Sequence, residues 1–335
     1  MTVLRTGHLE VYAADRAAVV DYFASSFGMS VLAHALFETG HSTLLECGDV
    51  RVVVTAGLET AGFLERHGDG VADITFVCDD PETVRAEALA AGGRPVGPGT
   101  AVSAFGSVRH TLLPASAPAW PADRVWIPAR AAEAADRGGY IRALDHIAVC
   151  VEADHLGDCV AYYLAAFGFE RYSSDFIELG NQAMDSIVVR NPAATTTFTL
   201  LEPVAAGEPG QIDAFLHRNG GAGVQHLAFL VDEIVPAVRE FRALGVEFLS
   251  TPDSYYDALT DRMRETTLEI ADLRETHVLA DRDEWGYLLQ LFTRSPHVRN
   301  TLFYELIQRR GARGFGSANI RALYEAVERD RLVAE

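Results

Sequence analysis

Basic residues are scarce in this chain: 28 arginines and no lysine stand against 47 aspartates and glutamates in 335 residues, a formal charge of −19. Phosphate binding needs a basic footprint, which argues against nucleic acid and anionic membrane surfaces as general partners. Cysteine is scarce too. The four present (Cys47, Cys78, Cys150, Cys159) are scattered and form no CxxC pair. That argues against a disulfide scaffold and a structural zinc site. Long apolar runs are missing: none reaches the ~20 residues of a membrane span, and the opening Met-Thr-Val-Leu-Arg-Thr-Gly-His has no apolar signal core. A soluble, cytoplasmic protein is expected. Long polar tracts are also missing, and 49% hydrophobic against 22% charged residues fit a globular chain rather than a disordered one. At ~150 residues per domain, the length predicts two domains.

What is present is a repeat. Gly7-His8-Leu9-Glu10-Val11-Tyr12, then Val19 to Phe23, then Phe27-Gly28, matches Asp145-His146-Ile147-Ala148-Val149-Cys150, then Val160 to Leu164, then Phe167-Gly168. Each reads as strand, loop, helix and glycine stop. Val160, Tyr163, Leu164 and Phe167 fall at i, i+3, i+4 and i+7, one apolar helix face. Gly28 and Gly168 sit where left-handed caps are expected. A second pair, Val71 to Val77 and Val224 to Leu230, feeds helices 81–91 and 234–244 that stop at Gly92-Gly93 and Gly245. Strand-like segments follow at Phe176 to Leu179, Ser186 to Val189 and Thr197 to Leu201. Four related modules, two per half, predict an α+β fold of curved mixed sheets with helices outside. The boundary is placed at residue 140, giving domains 1–140 and 141–335.

Strand alternation singles out three residues in the second half. His146 shares a face with Ala148, His226 with Ala228, and Glu305 stands alone between Phe303 and Ile307. The spacings are 80 and 79 residues, one candidate ligand per module. Two imidazoles and a carboxylate suit a non-haem Fe(II) facial triad with open cis positions. A packed histidine, or a buried Glu305 paired with Arg309, is the alternative for each residue alone. The first half has His8 where the repeat has His146, but Asp73 where it has His226, and no evident counterpart of Glu305. It is expected to be degenerate and metal-free.

The second half resembles the 4-hydroxyphenylpyruvate dioxygenase family. The matching stretches are Leu144-Asp145-His146, Gly220 to Ala228 around His226, Thr251-Pro252-Asp253-Ser254-Tyr255-Tyr256, Asp281-Arg282-Asp283, Gly286 to Thr293 around Gln290, Phe303-Tyr304-Glu305 and Gly314-Phe315-Gly316. The resemblance implies a vicinal-oxygen-chelate fold: paired βαβββ modules forming two open barrel-like domains, with a C-terminal lid helix. It implies Fe(II) on His146, His226 and Glu305, with the 2-oxo acid 4-hydroxyphenylpyruvate chelating that iron and reacting with O2. It also implies substrate contacts at Ser186, Thr199, Gln211, Gln290, Ile320 and Tyr324.

Two outcomes occur in the family. Ring attack gives homogentisate, and benzylic hydroxylation gives 4-hydroxymandelate. Here Thr199-Leu200-Leu201-Glu202-Pro203 replaces the ring-attacking pattern Pro-(Ile/Leu)-Asn-Glu-Pro, Tyr304 replaces phenylalanine, and Ile320 and Tyr324 replace two phenylalanines. These departures resemble the mandelate-forming branch, which would suit a route to an aryl-glycine of a peptide natural product. A glyoxalase-like or extradiol enzyme, or a metal-free binding protein, is the competing class on this fold. The final stretch carries Ile320, Leu323, Tyr324 and Val327 on one helical face. It is expected to close as a lid on Gly311, Gly314 and Gly316, while the 281–284 run is expected to be a solvated turn. The oligomeric state is left open, a homodimer included.

Overall fold

In the computed structural model, residues 2–97, 99–118, 120–130, 139–179, 182–204, 209–263 and 269–321 are described. The first half contains β1 (Val3–Tyr12), α1 (Arg16–Asp21), β2 (Ser30–Phe37), β3 (Gly40–Cys47), β4 (Val50–Gly57), α2 (Ala61–His67), β5 (Gly70–Cys78) and α3 (Pro81–Ala90). Short strands β6 (Val102–Ser103), β7 (Arg109–His110), β8 (Leu112–Pro114) and β9 (Trp126–Pro128) complete one mixed sheet, in the order β6-β7-β5-β1-β4-β3-β2-β9 with β8 beside β5. The second half contains β10 (Ile141–Cys150), α4 (Leu156–Phe167), β11 (Glu170–Leu179), β12 (Gln182–Arg190), β13 (Thr197–Pro203), α5 (Gln211–Asn219), β14 (Gly223–Val231), α6 (Ile234–Ala243), α7 (Asp253–Arg262) and α8 (Ile270–Thr276). It ends in β15 (Leu279–Arg282), β16 (Tyr287–Phe292) and β17 (Phe303–Arg310). Its sheet runs β11-β12-β13-β10-β14-β17-β16-β15. The fold is α+β, as expected, and each half holds one curved sheet.

The glycine stops explain where the helices end. Gly168 caps α4 in the left-handed conformation at φ 65° and ψ 27°, which costs a glycine little. Val160, Tyr163 and Phe167 are buried on the predicted face, but Leu164 is 37% exposed, and Leu156 and Ala166 are the other two buried residues. The stripe is therefore turned from the predicted one. In the first half, α1 relaxes into a π-turn over Tyr22–Ser26 before Gly28.

Alternation assigns each strand two faces. Leu9, Val11, Ile74 and Phe76 of one half share a single core with Ile147, Val149, Leu227 and Phe229 of the other, and buried residues of α1, α3, α4 and α6 belong to it. Burying one side chain such as Phe167 contributes ~1.5–3 kcal/mol, so this shared core holds the halves together. Polar pairs reinforce it: His110 Nε2 meets Tyr163 Oη at 2.8 Å, and His67 Nδ1 meets the Asn219 carbonyl at 2.6 Å. The opposite faces of the two sheets form two cups. His146 and His226 project into the second cup, and Ile212 and Phe215 of α5 pack there on Ala148, Cys150 and Leu201.

Candidate metal centre

Three neighbouring strands build the centre. Antiparallel β10 and β14 set His146 opposite Ala228 and Ala148 opposite His226, while parallel β14 and β17 set Ala228 opposite Glu305. The two alanines are the small neighbours that leave room for the imidazoles. One ligand atom from each of His146, His226 and Glu305 lies within 4.8 Å of the others, and all three residues are buried. Each histidine Nε2 is 3.4 Å from Glu305 Oε2. The predicted triad thus converges, and Arg309 does not take up Glu305 as the alternative supposed.

Outer contacts aim the imidazoles. His146 Nδ1–H donates to Asp145 Oδ1 at 2.9 Å, and His226 Nδ1–H donates to Gln225 Oε1 at 3.1 Å. Each Nε2 is thereby left facing Glu305, the direction from which a metal would bind. Arg309 grips Asp145 through Nε at 2.6 Å and Nη2 at 2.8 Å. Aromatic rings fill the flanks: Phe303 stacks on His226 at 5.0 Å, and Phe315 meets His146 edge-on at 5.3 Å.

The protonation pattern follows. Burial works against a charged His146, but hydrogen bonds to Asp145 and Glu305 carry it up to about 9. Burial lowers His226. Burial opposes the Glu305 carboxylate, yet the two histidines hold it below its ordinary range. Without a metal, the carboxylates of Asp145 and Glu305 favour the protonated form of His146. A divalent cation would displace that proton.

The remaining predicted residues divide. Thr199 pairs with Ala148 across β10 and β13 and so faces the cup. Its Oγ1 is buried without a hydrogen-bond partner, and so is the Ser173 hydroxyl on β11, which no sequence pattern marked. Ser173 sits opposite Val188, itself opposite Thr199, on the same face. Two orphaned hydroxyls in one cup fit a polar ligand, since burying them unpaired is costly. Ser186 shares that face, and its hydroxyl donates to the Asp175 carbonyl at 3.1 Å. Gln290 is buried, and its Oε1 accepts from Asn319 Nδ2 at 3.2 Å. Gln211 is exposed at the first turn of α5. Ile320 is half-buried in the helical turn 317–321, and Tyr324 lies outside the described residues.

The 311–316 segment, where the lid is expected to hinge, is fixed by packing. A Cβ at Gly316, where φ is 77°, would collide with Gln290 Oε1. Asp283, expected in a solvated turn, instead accepts from the backbone N–H groups of Arg313 at 2.6 Å and Gly314 at 2.9 Å. It fastens the 313–314 backbone to the β15–β16 turn, while Trp285 stays 50% exposed.

The first cup carries the same positions with other chemistry. Glu10 pairs with Asp73, as Ala148 pairs with His226, and Asp73 pairs with Arg109, as His226 pairs with Phe303. Counting two residues on from Arg109 puts Thr111 at the counterpart of Glu305, which sequence reading did not find. Its hydroxyl and N–H both donate to Asp73. Arg109 and Arg124 bind Glu10 at 3.3 and 2.8 Å, and His8 Nε2 meets Thr75 Oγ1 at 3.1 Å. An ion network of the protein's own groups occupies the place the triad holds in the second cup.

A model of the glyoxalase/bleomycin resistance protein/dioxygenase superfamily matches residues 143–291, and the chain has that superfamily's fold. Among the relatives, the 4-hydroxyphenylpyruvate dioxygenase of Caenorhabditis elegans is 32% identical over 363 residues, 98% of this chain and 92% of its own length. That of Yarrowia lipolytica is 29% identical over 367 residues, 97% and 91%. A solved triple mutant of 4-hydroxymandelate synthase from Streptomyces coelicolor superposes with a TM-score of 0.87 at 49% identity, covering 98% of this chain and 99% of its own. The chain belongs to the 4-hydroxyphenylpyruvate dioxygenase family and is, like its relatives, a dioxygenase. No helix among the described residues is long and apolar enough to cross a membrane.

Proposed function

We propose that this enzyme converts 4-hydroxyphenylpyruvate and O2 to 4-hydroxymandelate and CO2 on Fe(II) held by His146, His226 and Glu305. The observation that carries the reading is the 49% identity, over nearly both full lengths, to a 4-hydroxymandelate synthase, against 28–32% to 4-hydroxyphenylpyruvate dioxygenases. The donor set supports the metal: two neutral imidazole nitrogens and one carboxylate suit iron and other late divalent ions. Iron, when bound, supplies the dioxygen chemistry and a docking point for the 2-oxo acid.

The chain's own groups do the rest. Asp145 and Gln225 hold the imidazoles in the ligating tautomer. Phe292, Phe303 and Phe315 crowd the triad and keep water from it. Thr199 and Ser173 offer hydroxyls to the polar ends of the substrate. Ile320, smaller than phenylalanine, widens the wall beside the aromatic ring. A displacement of about an ångström decides whether the ring or the benzylic carbon is presented. No acid–base group need change between the two outcomes.

The products are isomers, so mass alone does not separate them. Chromatography of the product made from 4-hydroxyphenylpyruvate under air is the test. 4-Hydroxymandelate is expected; homogentisate as the main product overturns the reading in favour of the ring-attacking branch. Ile320→Phe is expected to lower benzylic hydroxylation and admit some ring chemistry, and an unchanged rate and product would remove Ile320 from the explanation.

A further inference from the structure

One end of the second cup is cationic, in a protein of net charge −19. A cavity of about 340 Å³ lies there, walled by Asp145, Tyr172, Arg190, Thr197, Arg309 and Phe315, with Arg313 at its rim. Strand register runs it into the metal centre. Arg190 sits opposite Thr197 on β12 and β13, two residues from the Val188–Thr199 pair. Arg309 lies four residues after Glu305 on the same face of β17. Phe315 is the partition. Its ring meets His146 at 5.3 Å, faces Tyr172 at 6.1 Å and lies under the Arg309 guanidinium at 4.9 Å.

Three guanidiniums meet one carboxylate in this pocket. Asp145 is fully engaged by Arg309 and His146. Arg190 lies over the Tyr172 ring at 3.7 Å and Arg313 over Trp285 at 4.8 Å, and neither has a carboxylate partner among the described residues. The Asp283 carboxylate near Arg313 is taken up by backbone N–H groups of Trp285, Gly286, Arg313 and Gly314. An arginine laid on an aromatic face keeps the edge of its fork free for a planar oxyanion.

We propose that this pocket is a receiving site for the carboxylate of the aromatic 2-oxo acid: Arg190 and Arg313 catch the anion at the mouth of the cup, and it passes Phe315 to the metal centre. The site answers a physical difficulty. A strongly acidic protein repels an anionic substrate at long range, and a local cationic mouth raises the association rate by ~10-fold or more. This inference rests on the substrate reading above.

The test uses the full-length Fe(II)-loaded protein without oxygen. Association of 4-hydroxyphenylpyruvate is followed by stopped-flow through the weak visible band of the iron-bound 2-oxo acid. Arg190→Glu and Arg313→Glu are each expected to slow association about tenfold in dilute buffer and to converge with the parent to within about twofold near 0.5 M salt, where screening acts within a few ångströms. Dissociation rates are expected to stay the same. A loss of equal size at both salt concentrations, or one confined to dissociation, overturns the proposal. A second arm needs no turnover. Phenylglyoxal labelling, mapped by mass spectrometry, is expected to reach Arg190 and Arg313, and phenylacetate is expected to protect both while chloride at equal ionic strength does not. If 4-hydroxyphenylpyruvate gives neither band nor turnover, the substrate reading falls. The protection arm still decides the carboxylate site, and equal labelling with and without phenylacetate refutes it.

Discussion

Asp145→Ala strips the support from behind the first histidine. The carboxylate accepts three charge-assisted bonds: from His146 Nδ1 at 2.9 Å and from Arg309 Nε and Nη2 at 2.6 and 2.8 Å. Burial disfavours its charge, but Arg309 and His146 hold it well below the usual carboxylate range. Removing one member of a buried pair costs ~3–5 kcal/mol. Arg309 keeps the Ala312 and Gly314 carbonyls at 3.3 and 2.7 Å, so the low end, ~3 kcal/mol, is expected for global stability. The metal effect is separate. Freed from Asp145, the imidazole can turn or switch tautomer, and losing such an outer contact lowers metal affinity ~10–100-fold. Asp145→Asn keeps an acceptor for Nδ1–H but loses the charge and turns an NH2 donor toward Arg309 Nε, so its metal affinity should fall less than that of the alanine variant while its stability also suffers. Competition of Co(II) or Fe(II) against a chelator at fixed pH measures affinity, and urea unfolding without metal measures stability. An alanine variant that folds and binds metal as tightly as the parent would refute the claim that Asp145 aims His146.

Glu305→Ala is expected to abolish turnover and strip most of the iron, and metal analysis showing full occupancy would count strongly against the triad. His8→Ala in the first cup should cost ~1–2 kcal/mol through its lost Thr75 contact and leave turnover within about twofold. A large fall in rate without unfolding would give that half a catalytic role. His110 governs acid stability. Burial carries it down to about 3, so the folded protein leaves it neutral while the unfolded chain protonates near 6.5. Its contribution is complete above that unfolded value and is lost as pH falls below it, by ~2 kcal/mol at pH 5. Urea midpoints at pH 7 and pH 5 should therefore differ less in His110→Phe than in the parent, and parallel shifts would remove His110 from the account.

The backbone's own periods made much of the site legible. Alternation put His146 and His226 on faces whose next residue is alanine, and spacings of 80 and 79 residues tied them to Glu305 as members of repeated modules. Glycines at 168 and 245 marked helix ends because only local conformation decides them. Other features depended on how the strands curl and pair. Asp145 and Arg309 are 164 residues apart and meet only because β10 and β17 flank β14. Ser173 became a cup residue through a register shift between Arg171 and Ser173, which no period-2 reading places. Thr111 emerged as the counterpart of Glu305 only when β5 was paired with β7 and β8. Leu164 turned outward because its helix packs on a neighbour whose position the helix's own sequence does not encode. Local periodicity says which way a side chain points along its own element, whereas the partner it meets depends on the register and curvature of strands far away in the chain.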